Sequence, residues 1–135
     1  MASLGNCIFM MDEGVDRLTE ALPELPADKA KLSRLMLMVG SRMQEELEHT
    51  LKPYRLNHSE FLTLMILYSS PDGSSTPGEL CDYTSQGATN MTRIGNALVG
   101  RGLVVRAASE QDRRRVRMGI TPSGRRFVQK MLPTL

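Results

Sequence analysis

The chain has 135 residues, 41% apolar and 24% charged, which is enough for one hydrophobic core and too little for two ordinary domains. No apolar run approaches the roughly 20 residues of a membrane span, and the apolar patch over residues 1–11 lacks the basic flank and length of a signal peptide. The net charge of +2 conceals an asymmetry: residues 1–72 carry seven Lys/Arg against eleven Asp/Glu, whereas residues 73–135 carry ten against four, nine of the ten being Arg.

In chain order, residues 12–22 read as a short acidic helix within an arm over residues 1–27, interrupted by Pro23 and Pro26. From Asp28 the apolar positions Leu32, Met36, Val39, Met43, Leu47 and Leu51 recur every three or four residues, which predicts one long helix stopped by Pro53. Asn57 lies three residues before Glu60, a capping arrangement that opens a helix to about Tyr68. Its apolar residues nearly encircle it, so it is expected at the centre of the core. Residues 69–75, with Pro71, Asp72 and Gly73, read as a turn.

Thr76-Pro77-Gly78-Glu79 combines a capping hydroxyl, proline at the first helical position and glutamate at the third, predicting a short helix to about Tyr83. Thr84 or Ser85 can cap the next helix, which runs through about Val99 and stops at Gly100 and Gly102. Two helices joined by a tight turn, the second longer, form the helix-turn-helix pattern. Leu103–Arg106 and Val116–Ile120 then read as strands flanking a polar tip at residues 108–114, which makes the unit a winged helix-turn-helix. Thr121-Pro122 starts a last helix with Phe127, Met131 and Leu135 on one face. The expected fold is mainly α with a small β-hairpin.

On the longer helix Met91, Ile94 and Leu98 share one face, and Gln86, Thr89, Arg93 and Asn96 share the other. Arginine suits guanine edges and Asn or Gln suits adenine, so this face is a candidate major-groove reader, with Asn90 counted among its DNA-binding residues. Thr76, Ser85 and Thr92 are candidate phosphate donors. A wet helix face is the alternative, weakened because no acidic residue lies between Gly87 and Val105. At the hairpin tip Arg113, Arg114 and Arg115 suit a narrow minor groove, with Asp112 and Arg106 as wing supports.

These residues resemble the MarR family of bacterial winged-helix regulators, and within it the EmrR-type repressors of multidrug efflux. The resemblance covers about Leu32 to Leu132 and rests on Pro77-Gly78-Glu79-Leu80, Thr89-Asn90-Met91-Thr92-Arg93-Ile94, Arg101-Gly102-Leu103-Val104, Asp112-Arg113-Arg114 and Ile120-Thr121-Pro122-Ser123-Gly124. It implies that Arg114 enters the minor groove, that Asp112 steadies the wing and that the helix following Ser85 reads the major groove. It further implies a cytoplasmic, nucleoid-associated homodimer on double-stranded pseudo-palindromic operator DNA, repressing transcription until a small lipophilic or phenolic effector binds.

The effector crevice implied by the resemblance would be lined by Met36, Met43, Phe61, Met65 and Tyr68, with Arg55 and Arg106 as anion partners. Methionines adapt to varied ligands, although Met at helical spacing also serves as plain core. Residues 28–56 are then a dimerisation helix, 57–121 the DNA-binding lobe, and 122–135 the start of a shortened C-terminal dimerisation helix.

Cys81 has no Lys, Arg or His beside it in sequence and reads as core, and Cys7 does not match the cysteine position of peroxide-sensing relatives. His49 and His58 lack metal-ligand spacing, so no metal and no cofactor are expected. Without a phosphate loop or nucleophile elbow, an enzyme is not expected. A winged-helix protein-interaction module and a cysteine-based redox sensor remain as alternatives.

Overall fold

A computed structural model of the chain describes residues 2–135. Helices α1 (Leu4–Ala21), α2 (Ala27–Leu51) and α3 (His58–Ser69) are followed by strand β1 (Ser74–Ser75) and helices α4 (Pro77–Thr84) and α5 (Ala88–Gly100). Strands β2 (Val104–Ala108) and β3 (Val116–Ile120) and helix α6 (Pro122–Met131) complete the order. The chain divides into two compact units, one ending at Leu47 and the other spanning Glu48–Leu135. No helix among the described residues is long and apolar enough to cross a membrane.

In the first unit α1 is much longer than the short helix expected at 12–22. Ser3 caps it, its hydroxyl oxygen accepting from the Asn6 N–H at 3.2 Å, so the apolar patch is helical from Leu4 onward. Lys31 of α2 donates to Asp16 of α1 at 2.9 Å, and this hydrogen bond raises the lysine pKa above its ordinary value. The α2 periodicity is read correctly, but most of its stripe is exposed in the single chain: Met36 is 66% and Met43 68% accessible. Periodicity shows that a face is apolar, not what covers it.

The second unit is built around α3. Asn57 and Glu60 form the expected capping box, and Thr63, Leu64 and Leu67 are buried where α3 packs on α4, α5, α6 and the sheet. Thr63 is satisfied internally, its hydroxyl donating to the Ser59 carbonyl at 2.8 Å. The rest of the core comes from Leu51, Leu56, Leu80, Met91, Ile94, Leu98, Leu103, Val104, Met118, Val128 and Met131.

The turn expected at 69–75 contains a strand. Ser74 and Ser75 pair with Gly119 and Met118, giving a three-stranded antiparallel sheet in the order β1-β3-β2. Two serines carry no strand signal, and the long-range partner supplies it. β2 extends to Ala108, so the wing tip begins at Ser109 rather than at Ala108.

Helix α4 has the expected capping box between Thr76 and Glu79. The Glu79 carboxylate accepts from the Thr76 N–H at 2.9 Å and from the Ser75 hydroxyl at 2.7 Å, and these bonds hold its pKa below the ordinary value. A lowered folded-state pKa contributes stability that is present above the ordinary carboxylate range and is lost as pH falls through the lowered value. Glu79→Gln should therefore lose stability at neutral pH and show a shallower loss than the parent on acidification, as measured by thermal melts across pH 2–7. Parallel curves for the two proteins would refute this role.

The expected cap at Thr84 or Ser85 does not form. Ser85 instead ends α4 in the left-handed conformation, φ 54°, and the buried Thr84 hydroxyl donates to the Leu80 carbonyl at 2.6 Å. Gly87 is the N-cap of α5, so Gln86 lies in the turn before the helix and not on it.

The buried face of α6 is Gly124, Val128 and Met131, not the predicted Phe127, Met131 and Leu135. It packs against α3 and β3 within its own lobe. Phe127 instead meets Tyr54 edge-on at 6.2 Å and the Arg101 guanidinium at 5.2 Å, and Leu135 is exposed. A side chain at Gly124 would collide with the Leu103 carbonyl oxygen and come within 2.8 Å of Ile120. Gly124→Ala is expected to destabilise the lobe by about 1–3 kcal/mol through overpacking, despite the better helix propensity of alanine. An unchanged denaturation midpoint would show that the backbone yields there.

Candidate nucleic-acid interface

The wing is organised by one carboxylate. Asp112 Oδ1 accepts from the Arg114 N–H at 3.0 Å, its carbonyl accepts from the Arg115 N–H at 2.9 Å, and its Oδ2 lies 3.8 Å from Arg115 Nε. The Ser109 N–H donates to the Arg115 carbonyl at 2.7 Å and closes the tip. An Asp side chain that bonds a backbone N–H two residues on is the local signature of an Asx turn. Among the described residues no carboxylate pairs with Arg113 or Arg114, so both exposed guanidinium groups keep their donors for another molecule.

Helix α5 turns Met91, Ile94, Gly95 and Leu98 inward and leaves Thr89, Thr92, Arg93 and Asn96 exposed. Its outer face is partly self-bonded. Asn90 Oδ1 accepts from Arg93 Nε at 3.1 Å and from Nη2 at 2.6 Å, and Asn90 Nδ2 donates to Gln86 Oε1. The Thr92 hydroxyl donates to the Ala88 carbonyl at 3.0 Å rather than projecting a free donor. Thr76 accepts from the Glu79 N–H at 3.2 Å, and Ser85 is exposed in the turn.

Arg106 does more than support the wing. From β2 it reaches α5, with Nη1 donating to Asn96 Oδ1 at 2.8 Å and Nη2 to the Thr92 carbonyl at 3.3 Å. Gly95 makes this possible, because a Cβ there would sit 2.5 Å from Arg106 Nη2. Asn96 is therefore tied to the hairpin, its amide oxygen already engaged. Arg106 also lines a cleft of about 390 Å³ with Pro77, Met91, Thr92, Asn96, Val116 and Met118.

Of the residues expected around the effector, Arg106 lines this cleft. Met36 and Met43 are exposed in the first unit. Phe61, Met65 and Tyr68 are half-buried on α3, with Tyr68 Oη accepting from Gln129 at 3.2 Å and its ring facing Arg125 at 5.6 Å. Arg55 is exposed in the left-handed conformation, φ 56°, and its carbonyl accepts from Arg101 at 2.8 Å. Cys81 is half-buried on α4.

Two arginines escaped the sequence reading. Arg101 also donates to the Tyr54 carbonyl at 2.9 Å, joining the end of α5 to the segment before α3. Arg117 on β3 donates to the Ser74 hydroxyl and carbonyl at 3.1 and 3.3 Å and lies 3.6 Å from Asp72. The Ser74 hydroxyl and N–H, followed by the Arg117 charge, hold the Asp72 pKa below its ordinary value. Its partners lie on a strand, Ser74–Ser75, that carries no local signal.

The MarR-family profile matches residues 56–115, the part of the chain that carries α3 to the wing. The transcriptional repressor MprA of Escherichia coli is 32% identical over 110 residues, covering 82% of this chain and 62% of MprA. The match to a second E. coli regulator, PrsX, likewise covers only 66% of that protein, so the chain spans about two thirds of the length of these relatives. The HTH-type transcriptional repressor Mb2911 of Mycobacterium bovis is 32% identical, with 77% of this chain and 73% of the relative covered. A crystal structure of an E. coli MarR variant complexed with operator DNA superposes with a TM-score of 0.68 at 25% identity, covering 86% of this chain and 76% of that one. The relatives are named as transcriptional regulators and not as enzymes. The winged helix-turn-helix from α3 to β3, the Asp112-centred wing and these similarities together place the chain in the MarR family.

Proposed function

We propose that the chain is a sequence-specific repressor that binds duplex operator DNA through α5 and the wing. One observation carries the reading: a single lobe presents an acid-free outer helix face beside a wing tip with Arg113 and Arg114 unpaired among the described residues. In this reading α5 lies in the major groove, and Arg114, steadied by Asp112, enters the adjacent minor groove. The operator complex of the similar MarR protein supports it.

The protein acts as a homodimer in the cytoplasm, on operator half-sites about one helical turn apart. The exposed apolar residues of α1 and α2, among them Phe9, Leu32, Met36, Leu37 and Met43, support self-association, since single soluble chains rarely expose so many. A small lipophilic anion relieves repression. We infer that its seat is the cleft between α5 and the hairpin. There Met91, Val116 and Met118 offer apolar walls and Arg106 a guanidinium. An anion that drew Arg106 to itself would free the Thr92 carbonyl and Asn96 and so unfasten α5 from the hairpin.

The test is selection of bound duplexes from a randomised library, followed by competition with scrambled DNA and then with small aromatic carboxylates. The expected result is one palindromic sequence that survives competitor and is released by some of the carboxylates. Recovery of no preferred sequence would reject the function, and a specific duplex that no carboxylate releases would reject the effector.

A further inference from the structure

The outer face of α5 is wired through Asn90. Its Oδ1 takes both Nε and Nη2 of Arg93, its Nδ2 donates to Gln86 Oε1, and Gln86 Nε2 donates to the Thr84 carbonyl at 3.5 Å. Gln86 is itself anchored, its backbone N–H donating to the Cys81 carbonyl at 3.1 Å. One residue dictates the polarity of the whole chain of bonds. A guanidinium only donates, so Asn90 must turn its oxygen to Arg93 and its nitrogen to Gln86. Gln86 must then turn its oxygen to Asn90 and its nitrogen to a carbonyl, and a carbonyl is what it meets.

We propose that Asn90 and Gln86 are positioning residues that aim Arg93 at one guanine, and that neither reads a base itself. The proposal rests on the reading of α5 as the recognition helix. Bidentate recognition of adenine by Asn needs its oxygen and nitrogen free together, whereas the Asn90 oxygen already accepts twice and its nitrogen is engaged. Arg93 shows the complementary pattern. Asn90 occupies the side edge of the guanidinium, Nε with Nη2, and leaves the end edge, Nη1 with the second Nη2 hydrogen, unoccupied. That edge is a pair of parallel donors, which matches O6 and N7 of guanine. An arginine already held along the helix also loses less side-chain freedom on binding than a free one.

The experiment measures binding of the full chain to the selected duplex and to copies with each base pair changed in turn, or with single guanines replaced by 7-deazaguanine. Circular dichroism establishes that each variant is folded. Arg93→Ala should abolish discrimination at one guanine. Asn90→Ala should reduce discrimination at that same guanine by about tenfold, Gln86→Ala by less, and Asn90→Ala with Arg93→Ala should discriminate no worse than Arg93→Ala alone. Asn90→Asp keeps the acceptor for Arg93 and should retain the discrimination even as its charge lowers overall affinity.

The proposal is overturned if Asn90→Ala relaxes a different base pair additively with Arg93→Ala, because Asn90 would then be a reader. It is overturned equally if Asn90→Ala leaves discrimination at the Arg93 guanine intact. A parent protein with no preferred duplex would bring down the recognition-helix reading itself, which distinguishes that failure from the other two.

Discussion

Truncating Arg113 and Arg114 together to alanine should weaken duplex binding by about 100-fold, taking ~1.4 kcal/mol, or a factor of ten, for each guanidinium lost from the groove. Both side chains are exposed, and among the described residues neither pairs with a carboxylate, so their removal deprives the fold of nothing. The thermal midpoint should stay within the range of ordinary surface substitutions. The two guanidinium groups also carry charge to the phosphates, so the plot of log affinity against log salt should flatten by up to about two units. Unchanged affinity in a fluorescence-anisotropy titration would remove the wing from the interface. Reduced affinity with a lowered midpoint would assign these arginines a folding role instead.

The largest expected effect on stability is that of Leu98→Ala. Leu98 is fully buried on the inner face of α5, and its carbonyl accepts from the Leu103 N–H at 3.1 Å where the chain turns into the hairpin. Removing a buried leucine side chain costs about 2–5 kcal/mol in transfer and cavity terms. That is a large share of a stability of about 5–15 kcal/mol. The midpoint should fall on the order of 10 °C or more for a lobe of this size, as read by circular dichroism. Binding should fail with the fold, and recover on cooling, if the inner face of α5 holds the outer face in place. A loss under about 1 kcal/mol would mean that the site collapses around the smaller side chain.

The two variants separate the faces of one helix and the tip of one hairpin, and those were legible to different degrees. The inner face of α5 followed from its period, because Met91, Ile94 and Leu98 recur at helical spacing and are buried. The outer face did not. Gln86, Thr89, Arg93 and Asn96, with Asn90 beside them, read as parallel base readers, yet Asn90 and Asn96 are each bonded to an arginine of this chain. Asn90 and Arg93 are three residues apart on one helix, a spacing the sequence does contain. Arg106 and Asn96 meet only because the hairpin folds back on α5. Apolar periodicity on α2 and α3 carries no information about which residues share a cavity.

By itself the sequence determined the features that a few neighbouring residues encode. These were the capping boxes at Asn57 and Thr76, the stop at Pro53, the helix-turn-helix spacing, the hairpin with its Asp112 tip and the placement of basic charge in the second half of the chain. Only the tertiary structure decided the strand at Ser74–Ser75, the left-handed turn at Ser85, the inward face of α6 and the reach of Arg106 and Arg117. The physical reason is range. A cap closes hydrogen bonds within a single turn of helix, whereas Ser74 becomes a strand because β3, more than forty residues later, supplies its partner.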